Sequence, residues 1–204
     1  MTHRINEMTI FLATSEYLAA SQYIDWQQPD VFAKALSLSE GLNSDEAIAK
    51  ACFEFVRDEI KHSWDYKINP LTCKASDVLK HGTGYCYAKS HLLAALLRAN
   101  KIPTGLCYQR LTIGDVPPFC LHGLNAVYLK NHGWYRIDPR GNKEGVNAQF
   151  CPPEEQLAFP ILTKGEADLP EVWSEPLAVV VKALTENSDF LDVATNLPDV
   201  ELLN

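Results

Sequence analysis

The sequence predicts an α+β domain, helices first and an antiparallel sheet after them. In the first hundred residues apolar positions recur at helical spacing, and after Pro103 the pattern changes to short runs rich in Tyr, Val, Leu and Ile. Two of those runs flank Asn131-His132-Gly133, a turn signal that makes them a hairpin.

Residues 1–28 read as extended or irregular, ending at Ile24-Asp25-Trp26. Pro29 suits the first turn of a short helix that runs to about Ser39 and stops at Gly41. Asn43-Ser44-Asp45-Glu46 opens a longer helix. Its positions Ile48, Ala51, Cys52, Phe55, Val56 and Ile60 form a buried stripe, and Asn69-Pro70 breaks it off. Residues 75–79 add one turn. Residues 89–100, with Leu92, Leu93, Leu96 and Leu97, read as the central helix, which ends before Pro103. Residues 105–111, 121–129 and 133–138 read as strands. Residues 142–173 are loop-rich, with Pro152-Pro153, Pro160 and Pro170. Residues 177–184 carry both a β-branched run and a helical stripe; Pro176 favours helix there, and Ser188 is placed to cap another short one.

Composition narrows the function. A chain of 204 residues buries a full core, and one domain, 1–204, is the simplest organisation. Hydrophobic residues at 47% and charged residues at 22% argue against disorder. A net charge of −8 leaves no basic face for nucleic acid. No apolar window is long enough for a membrane span, so no membrane partner is expected. Met1-Thr2-His3-Arg4-Ile5-Asn6-Glu7 is not a charged segment leading into an apolar one, and the expected location is cytoplasmic. The six cysteines (Cys52, Cys73, Cys86, Cys107, Cys120, Cys151) are spread without close pairs and read as reduced, mostly buried thiols.

Cys86 stands out among them. It follows Gly82-Thr83-Gly84-Tyr85 and opens the central helix. A helix N-terminus presents unpaired N–H groups and partial positive charge, the setting a nucleophilic sulfur needs. His122 opens a strand and Asp138 closes the next. If Lys130-Asn131-His132 is a three-residue loop, Leu129 faces Gly133 and Asp138 faces Leu124. His122 then lies one diagonal step away on the same face, about 7–8 Å off. A two-residue loop would send His122 and Asp138 to opposite faces. In the catalytic reading Cys86 attacks a carbonyl carbon, His122 carries the proton, and Asp138 orients the imidazole. The backbone N–H of Cys86 is a natural oxyanion donor. His62 reads as a helix-end residue complementing the dipole, His91 lies on another helical face, and His81 and His132 fall beside turns. Arg110 and Arg140 read as solvated or structural.

Residues 76–142 resemble the core of the transglutaminase-like superfamily of papain-fold thiol enzymes. The resemblance lies in Gly84-Tyr85-Cys86-Tyr87-Ala88, in Leu121-His122-Gly123-Leu124-Asn125-Ala126-Val127-Tyr128-Leu129 and in Gly133-Trp134-Tyr135-Arg136-Ile137-Asp138-Pro139. It implies a papain-like, transglutaminase-like core with helices packed on an antiparallel sheet, and it places the family's nucleophile on Cys86, its histidine on His122 and its aspartate on Asp138. Trp64-Asp65-Tyr66 and Gln149-Phe150-Cys151-Pro152-Pro153 are similar to segments of small bacterial proteins of this type. The chain departs from the family at Tyr87, where Trp is frequent, and at Leu124, where an aromatic residue is frequent. It shows no Asp-rich calcium loop. Small members are commonly peptidases or amidases.

The expected function is therefore thiol acyl transfer on an amide or peptide bond through an acyl-enzyme, as cysteine peptidase, amidase or transglutaminase-type acyltransferase. The partners are a peptide or amide substrate and water or an amine acceptor, with no cofactor and no metal. Two other classes compete. A binding module would keep the fold without the activity, for instance with the proline-rich tail after Gly145 lying across the site. A zinc site would draw on Cys120 and His122 with Cys86 and Cys107 or Cys151, although no C-x₂-C pair supports it.

Overall fold

A computed structural model describes residues 14–114 and 116–200. Residues 1–7, read above for an export signal, lie outside the described residues. Ser15–Leu18 forms a single 3₁₀ turn, and Ile24 is fully buried.

Helix α1 is Pro29–Ser39, with the proline in its first turn. Helix α2 is Asp45–Glu59; the Ser44 hydroxyl caps it by accepting from the Ala47 N–H at 3.1 Å. α2 ends ten residues before Asn69-Pro70. At Lys61 the chain leaves the helix to form a two-residue strand, β1 (Lys61–His62), and a single turn, α3 (Ser63–Tyr66). The pull is tertiary: β1 pairs in parallel with β2 (Thr83–Gly84), with His62 opposite Gly84. Between them lies α4 (Ala75–His81), ended by Gly82 in a left-handed conformation (φ +64°) that suits glycine.

Helix α5, Cys86–Ala99, is the centre of the molecule, and all of its residues are buried. A helix buried on every side is usually apolar throughout. This one carries Lys89, His91 and Arg98, each bonded to main-chain carbonyls. Arg98 donates to the carbonyls of Thr104, Ala19 and Ser174 at 2.9, 2.8 and 2.7 Å. His91 Nδ1 donates to the Cys73 carbonyl at 2.7 Å. Lys89 Nζ donates to the carbonyls of Ile60 and Arg57, tying α5 to the end of α2, and burial lowers its pKa to about 7.

After α5 come β3 (Thr104–Thr112), β4 (Phe119–Leu129) and β5 (Gly133–Ile137). Later the chain forms β6 (Gln149–Cys151), β7 (Glu154–Gln156) and β8 (Ala167–Asp168). The main sheet runs β5-β4-β3-β8, antiparallel throughout, and β6 and β7 form a separate hairpin. These short strands lie in the stretch that reads as loop from sequence. The chain closes with α6 (Ala178–Thr185) and α7 (Phe190–Thr195). Asp189, not Ser188, caps α7, its carboxylate accepting from the N–H groups of Leu191 and Asp192. The result is the α+β architecture expected, with helices packed on an antiparallel sheet. No helix among the described residues is long and apolar enough to cross a membrane.

Candidate active site

The hairpin register decides whether His122 and Asp138 can meet. Leu129 faces Gly133 and Asn125 faces Ile137, so the loop has three residues and Asp138 falls next to Leu124. His122 Nε2 and Asp138 Oδ2 stand 2.7 Å apart. Asp138 is fully buried, and its remaining bonds come from the main-chain N–H groups of Arg140 and Ala158, each at 3.1 Å. Ala158 belongs to the loop-rich stretch, and next to it Phe159 sets its ring edge-on against His122, centroids 5.0 Å apart. That stretch therefore forms a wall of the site.

Cys86 is the first residue of α5 and only 6% exposed. Its sulfur accepts from the Gly123 N–H at 3.5 Å and stands close enough to His122 to act on the charge of its ring. Gly123 makes this approach possible. A Cβ there would lie 3.1 Å from Tyr87 Cα, 3.2 Å from Tyr87 N and 2.9 Å from its ring. Tyr87 is itself fully buried, and its hydroxyl donates to the Leu121 carbonyl, which accounts for tyrosine at a position where the family often has tryptophan.

The electrostatics follow from the contacts. Burial disfavours a charged ring at His122, yet Asp138 and Cys86 outweigh it and push its pKa up to about 10. Asp138 is held low: burial acts to raise it, and the His122 charge together with the two N–H donors overcomes that. Burial pushes the thiols of Cys52, Cys73, Cys107 and Cys120 up to about 12. All six cysteines are free, with Cys151 exposed.

The sulfur opens into a cleft of about 300 Å³. Its walls are mainly apolar, from Trp64, Leu111, Ile113, Leu121, Phe159 and Leu197. α7 is fastened over one side: Tyr85 donates its hydroxyl to the Phe190 carbonyl at 2.5 Å, and the Leu121 N–H bonds Pro198 O at 2.7 Å.

Some of the other residues singled out in the sequence sit as read and others do not. His62 does not sit at the end of α2; it is a buried member of β1 and lines the cleft. Arg140 also lines the cleft, clamped on Asp65 at 2.7 and 3.1 Å, whereas Arg110 pairs with Asp199. Cys120, one of the cysteines read as mostly buried thiols, is half-buried on the cleft wall. His132 is in the hairpin turn, 3.5 Å from Glu46. Cys107 packs apart with Leu124 and Ala126. Among the described residues no three His, Cys, Asp or Glu side chains are grouped to hold a metal ion.

No curated protein matches the chain. Among solved structures, a candidate cysteine protease from Cytophaga hutchinsonii is similar over 63% of this chain and 42% of its own, at 19% identity and a TM-score of 0.50. The periplasmic domain of TgpA from Pseudomonas aeruginosa matches over 60% of this chain and 45% of its own, at 18% identity and a TM-score of 0.46. The chain thus spans less than half the length of either. The model of the transglutaminase-like superfamily matches residues 33–139, just over half of the chain, from within α1 past Asp138. With this match and the papain-like arrangement of helices and sheet, the chain belongs to the transglutaminase-like superfamily.

Proposed function

We infer that the protein is a thiol acyl-transfer enzyme acting on an amide or peptide bond. The observation that carries this reading is the meeting of Cys86, from a helix start, and His122, from a strand, on one cleft, with Asp138 buried behind the imidazole and bonded to it. His122 holds the proton beside the sulfur, and Cys86 attacks the carbonyl carbon. The oxyanion forms next to the Cys86 main-chain N–H at the start of α5. His122 returns its proton to the leaving amine, and an acyl-enzyme remains. Asp138, bonded on every side and without access to solvent, keeps the imidazole oriented and offsets its charge. The apolar walls favour an acyl donor with an apolar side chain near the scissile bond. Water as acceptor gives a peptidase or amidase; an amine gives a transferase.

Alkylation at neutral pH with iodoacetamide, followed by peptide mapping, tests the nucleophile. Burial suppresses four of the other thiols, so Cys151 is the competitor to beat. Cys86 is expected to label first and to lose that lead in His122→Ala. Equal labelling of Cys86 and Cys151 in the unaltered protein defeats the reading. A library of peptide and amide substrates, with and without an added amine, then separates hydrolysis from transfer.

A further inference from the structure

A second histidine reaches the cleft and has no part in the scheme above. His62 is 7% exposed and lies opposite Gly84, two residues before the sulfur, because β1 pairs with β2. The hydroxyls of Ser63 and Thr83 stand 3.2 Å apart beside it, and Thr83 donates to the Lys61 carbonyl at 2.9 Å, which holds this short ladder in place. The His62 ring packs edge-on against Tyr85, centroids 5.4 Å apart. Its Nδ1 is buried and has no hydrogen-bond partner; Asp65 Oδ2 stands 3.8 Å away, too far for one. The ring shares the cleft with Cys86 and His122.

Burial keeps this ring neutral, and the Arg140 charge reinforces the effect against a weaker pull from Asp65. A neutral imidazole has one N–H. The carboxylate facing Nδ1 draws the proton to that nitrogen, which leaves Nε2 a bare acceptor. With Nδ1 buried and turned toward Asp65, Nε2 is the nitrogen left for a molecule in the cleft to reach.

We propose that His62 Nε2 accepts a hydrogen bond from the acyl acceptor and so positions the nucleophile that discharges the acyl-enzyme. The inference rests on the acyl-transfer reading and adds to it the class of acceptor. That class has two X–H bonds on one atom, as water and primary amines do: one hydrogen faces His62 and the other faces His122. The new C–O or C–N bond forms at the thioester carbon. The C–S bond breaks, its electron pair returns to the Cys86 sulfur, and the nucleophile's proton passes to His122. His62 is a positioning residue and gains no proton.

The test uses p-nitrophenyl acetate as acyl donor in a Cys151→Ser background. The burst of nitrophenolate reports acylation, the steady state reports discharge, and iodoacetamide reports the sulfur alone. In His62→Ala the burst and the alkylation rate should persist while the steady-state rate falls on the order of tenfold to a hundredfold. His62→Gln, whose amide oxygen also accepts, should recover most of it. In the unaltered protein, methylamine should speed discharge about tenfold more than dimethylamine, which has a single N–H, a readout that needs no variant. Equal slowing of burst and steady state would assign the ring to acylation or to scaffolding and overturn the proposal, as would an unchanged steady state or equal response to the two amines. Absence of any Cys86-dependent burst or labelling in the background protein is a different failure, that of the acyl-transfer reading itself.

Discussion

Two histidines, each with an aspartate beside it, line one cleft and behave in opposite ways. His122 lies 2.7 Å from Asp138 and is pushed up to about 10; His62 lies 3.8 Å from Asp65 and is pushed well down. Burial opposes the charged ring in both. The difference lies in what else claims each carboxylate. Asp138 has only main-chain N–H donors besides His122, so its full charge acts on the ring. Asp65 is already bonded to Arg140 and Lys143, with contacts of 2.7, 3.1 and 2.6 Å, and its own pKa falls to about 2. An aspartate that is already neutralised does little to charge a neighbouring imidazole, even where it orients the ring's one proton, and the cation that neutralises it repels the imidazole's charge as well. Rings whose affinities for a proton are driven apart are suited to different tasks in one reaction.

This contrast can be broken at its strong end first. Asp138→Asn keeps the shape but removes the charge, and should slow acylation by p-nitrophenyl acetate on the order of a thousandfold or more. A loss below about tenfold would mean that the close pair is not what equips His122.

A third buried histidine supplies the case without a carboxylate. His91 bonds only a carbonyl, and burial pushes it down to about 4. The unfolded chain takes up this proton near pH 6.5 and the folded one resists it until about 4. Stability is therefore complete above about 6.5 and is lost as pH falls toward 4, by about 3 kcal/mol from this residue. Urea unfolding across that range should show a shallower slope for His91→Gln than for the unaltered protein, whatever the offset between them. Parallel curves would remove His91 from the acid response.

Arg140→Gln probes the weak pair from the other side. It leaves Asp65 with Lys143 alone and deletes the cation that opposes a charged ring, so the His62 midpoint, followed by proton NMR of the imidazole, should move upward. An unmoved midpoint would detach Arg140 from the difference between the pairs. Lys143→Ala should move His62 in the same direction but less, because Lys143 is 45% exposed and screened. Raising the salt concentration should shrink that smaller shift further.

The strong pair was legible in the sequence and the weak one was not. Strand pairing is periodic, so a three-residue loop at 130–132 converts directly into which residues meet across the hairpin. The place of Cys86 followed from Gly82 and the leucine pattern after it. His62 gave no such signal. Ile60 extends the α2 stripe, nothing before Asn69-Pro70 breaks a helix, and a two-residue parallel ladder has no periodicity to read. What ends α2 at Glu59 is pairing with Thr83, far along the chain. Phe159 was hidden for a similar reason: it comes from a stretch without regular spacing and is placed by the Ala158 bond to Asp138. Ser188 and Asp189 are adjacent capping residues, and only side-chain geometry separates them.

Gly123 has a broader consequence. The backbone carrying His122 meets the backbone beside the sulfur at this position, where even a methyl group would crowd the main chain of Tyr87. Reactivity here is a question of clearance before it is one of chemistry. A bulkier residue at this point would press the two backbones apart and, under the acyl-transfer reading proposed above, loosen the engagement of sulfur and imidazole.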